Sequence, residues 1–160
     1  MYNAIGILIL NVTGNFSQSA GFFDFVSGGA NTSRTPALNL GGNFSQTGSA
    51  VVTTSTLDAD IINGTITFNK TGTQTFSIAT QANFDFFNII IASGSTVELN
   101  SDITLSSIST NNWAGSFTVN NGAVLNTGTY HILSSSGGSA GTNNDFMLSA
   151  GATIITAEAD

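Results

Sequence analysis

Apolar and polar residues alternate in short runs along this chain: Ile66-x-Phe68, Phe84-x-Phe86, Val97-x-Leu99, Ile103-x-Leu105 and Phe117-x-Val119, with Val124 beside Leu125, each bounded by Gly, Asn or Ser. Alternation of period two over a few residues, closed by turn formers, predicts half-buried β-strands. No window of eleven or more residues keeps apolar residues at three- and four-residue spacing without Gly or β-branched interruption, and helix formers are scarce. The chain therefore reads as all-β.

A longer period runs over this alternation. Asn15-Phe16-Ser17-Gln18-Ser19 returns 28 residues later as Asn43-Phe44-Ser45-Gln46-Thr47, and a degraded third copy, Thr71-Gly72-Thr73-Gln74-Thr75, follows after another 28. Val12, Leu40 and Phe68 fall in one column of this register, and Gln18, Gln46 and Gln74 in another. In the C-terminal half, Ile89-x-Ile91-x-x-Gly94 matches Phe117-x-Val119-x-x-Gly122 at 28 and Phe146-x-Leu148-x-x-Gly151 at 29. Carrying the first series forward sets Phe68 on Thr96 beside Val97, then on Val124 beside Leu125, then near Ile154. A fixed period denotes a repeated structural unit.

Short strands joined by corners, repeating about every 28 residues, predict the coil of a right-handed parallel β-solenoid with five to six coils. Stacked at roughly 4.8 Å, these coils would form a body on the order of 25 to 30 Å long. A serial β-sandwich also has short strands with frequent turns, but gives no reason for Asn-Phe-Ser-Gln to recur at a constant interval. Phe is the dominant aromatic, twelve copies against one Trp and two Tyr, which suits a dry stack with no polar ring atom to satisfy. Phe16 over Phe44 is read as a core pair, and Asn15 over Asn43 and Gln18 over Gln46 over Gln74 as amide ladders.

Composition narrows the functions. Only 7% of the 160 residues are charged, and Lys70 and Arg34 are the sole basic residues against nine carboxylates. A groove that neutralises phosphates cannot be built from two cations, so nucleic acid and anionic membrane surfaces drop out as partners. No apolar run approaches a membrane span, and cysteine chemistry is absent because there is no cysteine. His131 is the only histidine; a triad would need it with a serine and Asp102 or Asp145, whereas Tyr130-His131-Ile132 reads as strand with His131 turned to solvent or capping an edge.

Asp58-Ala59-Asp60 places two carboxylates on one strand face, as in polysaccharide-degrading β-helix enzymes. Such enzymes also need basic contacts to substrate, which this chain lacks. The same pair, or Asp24 and Asp85, offers oxygen to calcium, but no Asp-x-Asp-x-Asp-Gly loop is present; the net charge of −7 predicts only loosely bound divalent cations and no dedicated cofactor. Thr65-x-Thr67 and Thr71-x-Thr73-x-Thr75 raise ice binding, yet the column of Ser19, Thr47 and Thr75 continues into Ile103 and breaks the array. Six Asn-x-Ser/Thr sequons follow from a composition rich in all three residues.

The segments Leu40-Gly-Gly-Asn-Phe-Ser-Gln46, Ile66-Thr-Phe-Asn-Lys-Thr-Gly-Thr-Gln-Thr-Phe76, Val97-Glu-Leu-Asn-Ser-Asp-Ile-Thr-Leu105, Phe117-Thr-Val-Asn-Asn-Gly-Ala-Val-Leu-Asn-Thr-Gly128 and Phe146-Met-Leu-Ser-Ala-Gly-Ala-Thr-Ile154 carry a resemblance. Together they are similar to the repetitive β-solenoid regions of large Bacteroidota surface and secreted adhesin-like proteins exported by type IX secretion. The resemblance implies an extracellular or cell-surface stalk, filament or adhesin region with no catalytic role, within a parent chain carrying its own signal peptide and sorting domain. The pattern is already running at Met1-Tyr2-Asn3 and still running at Glu158-Ala159-Asp160, so residues 1–160 are expected to be one β-solenoid domain, a fragment of a longer repeat protein. Expected partners are other copies end to end or flanking repeats, since an open strand edge templates pairing. The alternative is a carbohydrate-binding module using Trp113 and Tyr130, with Phe22 or Phe23, as stacking platforms. A fragment of a polysaccharide-degrading β-helix enzyme comes third.

Overall fold

A computed structural model describes residues 8–25, 36–53, 64–80, 87–105, 107–108, 113–134 and 145–157. Within them the chain winds as a parallel β-solenoid, and two six-stranded sheets carry the stack. The first sheet takes one strand from each coil: β1 (Ile9–Val12), β4 (Ala37–Leu40), β7 (Gly64–Phe68), β9 (Phe87–Ile91), β14 (Ser116–Val119) and β17 (Phe146–Leu148), in that order. The second is built the same way from β2 (Phe16–Gln18), β5 (Phe44–Gln46), β8 (Gly72–Ile78), β10 (Ser95–Leu99), β15 (Val124–Gly128) and β18 (Thr153–Thr156). Coils 1 to 6 are numbered by these pairs.

A third side is made of separate two-stranded ladders, β3 (Phe22–Asp24) with β6 (Val51–Thr53) and β11 (Ile103–Leu105) with β16 (Ile132–Ser134). Between coils 4 and 5, β12 (Ser107–Ile108) and β13 (Trp113–Ala114) pair antiparallel, outside the parallel ladders. Sequence alternation gave no warning of this pair. The expected strand around Phe84-x-Phe86 lies outside the described residues.

Burial follows the alternation. In β7, β9 and β10 every second side chain is buried, so each sheet turns one face inward. Two inward columns run the full height of the first sheet: Leu10, Leu38, Ile66, Ile89, Phe117, Phe146 and Val12, Leu40, Phe68, Ile91, Val119, Leu148. From coils 2 to 5 their members are sealed from solvent.

The register corrects one expectation. Phe68 pairs with Ile91, not Thr96, and Thr96 pairs with Thr73, so the step from coil 3 to coil 4 is 23 residues. The physical cause is a shorter return path. Phe44 and Phe76 occupy one column, as do Gly64 and Phe87, yet the chain takes 20 residues between the first of each and only 11 between the second. The two 28-residue series are thus parts of one stack with a phase shift between them.

A second shift lies inside coil 3. Phe44 pairs with Phe76 and Gln46 with Ile78, a step of 32, while Leu40 to Phe68 in the first sheet keeps 28. Four extra residues have entered the corner between the sheets. Coils 1 and 2 pass from Val12 to Phe16 and from Leu40 to Phe44 in four residues; coil 3 takes eight from Phe68 to Phe76. Coil 4 keeps the longer path, Ile91 to Leu99, and so has a wider cross-section at this corner.

Candidate functional site

The aromatic and amide residues singled out by the repeat gather around the narrow coils. Phe16 and Phe44 stack at 5.1 Å with planes 14° apart. Phe44 then meets Phe76 edge-on at 5.4 Å, and Phe76 lies 5.3 Å from Phe68. Phe23, a proposed glycan platform, is instead part of this cluster, 5.3 Å from Phe16 and 4.8 Å from Phe25. Phe22, its neighbour on the opposite strand face, is exposed.

Asn15 and Asn43 form a side-chain-to-backbone ladder. Asn43 N–H donates to Asn15 Oδ1 at 2.9 Å, and one coil on, Thr75 N–H donates to Asn43 Oδ1 at 2.9 Å. Each amide oxygen thereby ties the corner of the next coil to its own. A further pair at the same interval has Asn39 Nδ2 donating to Asn11 Oδ1 at 2.8 Å, a ladder that the sequence pattern does not single out. Gln18 and Gln46 face each other across β2 and β5. Their Nε2 groups donate to carbonyls of their own coils, Ala20 at 3.3 Å and Ala50 at 2.8 Å.

Gln74 is not in the column of Gln18 and Gln46, because the four inserted residues move Ile78 there. It heads another column, followed by Val97, Leu125 and Ile154. Fully buried, its Nε2 donates to the carbonyls of Leu40 at 2.9 Å and of Gly42, and its Oε1 accepts the N–H of Lys70 at 3.0 Å. The widened corner of coil 3 overhangs coil 2, where among the described residues no strand lies beneath Gly72–Thr75. Gln74 closes that floor with polar atoms matched to the carbonyls below. Thr73, which the repeat aligns with Ser17 and Ser45, likewise leaves their column, since Ser45 pairs with Ser77.

In coils 4 to 6 the wide corner uses a repeated turn. Ser95 N–H donates to Ala92 O, Ala123 N–H to Asn120 O and Ala152 N–H to Ser149 O, at 3.0, 2.9 and 3.0 Å. Gly94, Gly122 and Gly151 sit third in these turns with φ of 80°, 73° and 83°, a conformation that favours glycine. They also stack, Gly94 N–H donating to Gly122 O and Gly122 N–H to Gly151 O, each at 3.1 Å.

Catalytic candidates are sparse. His131 is exposed, and Asp102 one coil below accepts its backbone N–H at 2.8 Å, with Nδ1 3.3 Å from the same oxygen. A carboxylate holding a backbone N–H across coils is a fastening between them. Asp24 ends β3 half-buried. Asp58, Asp60, Asp85 and Arg34 lie outside the described residues. Among those described, no three His, Cys, Asp or Glu come together as a metal site would require, and no helix is long and apolar enough to cross a membrane. Tyr130 is 39% exposed in the turn after β15, beside an open groove lined by Thr127, Gly128, His131 and Thr156. Trp113 lies on β13, opposite Ile108.

The two ends of the stack differ. Coil 6 leaves Phe146, Met147, Leu148, Ile154 and Ile155 between 38% and 49% exposed, and β17 and β18 are the edge strands of their sheets. At the other end Leu10, Val12 and Phe16 are half-buried and pack on the core, while Ile9 and Phe22 are exposed.

A scan of protein-family models, a search of curated proteins and a search of solved structures each found no match to this chain.

Proposed function

We propose that this protein is a non-enzymatic structural module, a stalk or filament segment of an extracellular bacterial surface protein, joined at its coil ends to further coils. The observation that carries this reading is the continuous parallel stack which, among the described residues, ends in edge strands on both sides, β1 and β2 at one end and β17 and β18 at the other. Open edges with apolar columns behind them template the addition of strands. The outward rows support it too: Ser17, Ser45 and Ser77 on one strand position, and Thr73, Thr96, Val124 and Thr153 on another, are uncharged from coil to coil. The resemblance of the repeats to type IX secreted adhesin-like proteins supports the extracellular placement.

Negative-stain electron microscopy across a concentration series tests this. Rods roughly 25 to 30 Å long are expected; compact particles without a long axis would overturn the reading. A carbohydrate-binding role is the second reading, favoured by the exposed ring of Tyr130 beside its groove. A glycan-binding screen with saturable binding that is lost on Tyr130→Ala or Trp113→Ala would establish it.

A further inference from the structure

The wide corner of coils 3 to 6 is closed differently at its two ends. Its inward column begins at Gln74, passes through Val97 and Leu125, both sealed from solvent, and finishes at Ile154, which is 38% exposed. At the lower end, where a narrow coil lies beneath, the residue is polar and hydrogen-bonds the carbonyls of Leu40 and Gly42. At the upper end the residue is apolar. Beside it, Phe146 and Leu148 finish the two columns of the first sheet, and Leu125, Thr127, Ile132, Phe146 and Ile154 line an apolar groove.

The chain itself thus shows what each kind of cover requires. Where a wide coil meets a narrow one, the uncovered floor takes a glutamine that meets backbone groups of both polarities, because an apolar side chain there would take the Nε2 donor from Gly42 O and the Oε1 acceptor from Lys70 N–H, Leu40 O keeping Asn69 N–H as its other donor. Where a wide coil meets another wide coil, the column is filled by Val97 and Leu125. Ile154 belongs to the second kind.

We propose that the end face formed by β17 and β18 binds a β-solenoid coil of the wide type. The occupant's first strand sets apolar residues on Phe146 and Leu148, and its second strand, reached through a glycine turn, sets an apolar residue on Ile154. A second copy docking through its own coil 1 does not meet this requirement. Its β1 offers Leu10 and Val12 to Phe146 and Leu148, but its corner reaches Phe16 in four residues and has no residue to lay on Ile154. The end face therefore discriminates by corner length and joins this module to a different coil, not to itself. This rests on the structural reading above and names the partner of its coil end.

The test uses the full chain and two labelled synthetic peptides, residues 87–105 for a wide coil and residues 8–24 for the narrow one. The wide peptide is expected to bind saturably and to slow hydrogen exchange at the amides of β17 and β18, with affinity at least tenfold above that of the narrow peptide. Ile154→Asp, at an exposed position, should remove that tenfold advantage. Because this variant can also disturb coil 6, the narrow peptide lengthened between Asn15 and Phe16 by the sequence of Ser95 to Glu98 serves as an independent measure, and it should gain binding to the unaltered chain. Equal binding of the two peptides, tighter binding of the narrow one, or binding of neither overturns the proposal. Any of these with intact rods in the microscope leaves the stalk reading standing, whereas compact particles or saturable glycan binding strikes the reading itself.

Discussion

Coils 1 and 2 and coils 3 to 6 share their first sheet residue for residue, yet they close the neighbouring corner by opposite means. In the narrow coils the corner is a close backbone approach: a Cβ on Gly42 would stand 2.3 Å from Gly14 O, and one on Gly41 would stand 2.8 Å from Thr13 O. In the wide coils the corner is a hydrogen-bonded turn whose glycine has positive φ throughout; at Gly94 the sign of φ is the whole constraint, since a Cβ there would meet nothing nearer than 4.0 Å, while at Gly122 and Gly151 a Cβ would also approach the side chains of Ser93 and Asn121, at 3.2 and 2.6 Å. One repeat length therefore carries two cross-sections, and the glycines that mark it do so for different reasons. Where the two meet, Phe76 and Gln74 of coil 3 do the joining, the ring on the apolar side and the amide on the polar side.

Breaking that joint is expected to give the largest effect. Phe76 is fully buried between Phe44 and Phe68, so Phe76→Ala removes contacts on both sides of the boundary and should cost about 3–5 kcal/mol in chemical denaturation. Stability in a solenoid is close to a sum of coil and interface terms. Amides of β2 and β5 should accordingly lose hydrogen-exchange protection before those of β10 and β15. Uniform loss across all coils would show that the narrow and wide parts are not separable units.

The glycines sharpen the contrast at the next level. Gly42→Ala forces a side chain against backbone and should cost about 1–3 kcal/mol, while Gly14→Ala, with nothing within 4 Å, should leave the melting temperature unchanged or slightly raised. Gly94→Ala should cost about 1–2 kcal/mol through its positive φ, and Gly94→Asn less, because Asn tolerates that region. Equal penalties for Ala and Asn at Gly94 would mean that space, not φ, governs the wide corner as well.

The legibility of these features in the sequence follows the same boundary. The columns of Val12, Leu40 and Phe68 and of Ile89, Phe117 and Phe146 were readable because apolar identity and spacing persist together. The phase shifts were not. A four-residue gain before Phe76 and a shortened path before Phe87 leave the local alternation untouched, since both sides still read as strands. Gln74 misled for a related reason: its distance from Gln46 fits the period, but its neighbour in space is Val97. Only Phe76 and Ile78, repeating the spacing of Phe44 and Gln46, carried the true register. Asn11 over Asn39 does not stand out in the sequence although both sit at the period, since Asn is so frequent here that its coincidences carry little information.

Gln74→Leu asks whether the polar floor is needed. It keeps the volume but removes the Nε2 donor from Gly42 O, one of the two donors to Leu40 O, which keeps Asn69 N–H at 3.1 Å, and the acceptor of Lys70 N–H, and should cost about 1–3 kcal/mol. A neutral result would show that coil 2 accepts an apolar cover, and would weaken the argument that Ile154 marks a wide-coil end.

The amide ladders give the smallest and most discriminating effects. Asn43 Oδ1 accepts a backbone N–H from the wide coil above, whereas Asn39 Nδ2 donates to another side chain on the solvent-facing row. A backbone donor left unmet in a half-buried corner costs more than an amide pair that water can replace. Asn43→Ala should thus cost about 1 kcal/mol and Asn43→Asp, which keeps the acceptor, markedly less. Asn39→Ala should stay within about 0.5 kcal/mol. If Asn39→Ala proves as costly as Asn43→Ala, the ladders stabilise through side-chain stacking, and the narrow coils hold together by the same means on their outer face as at their corner.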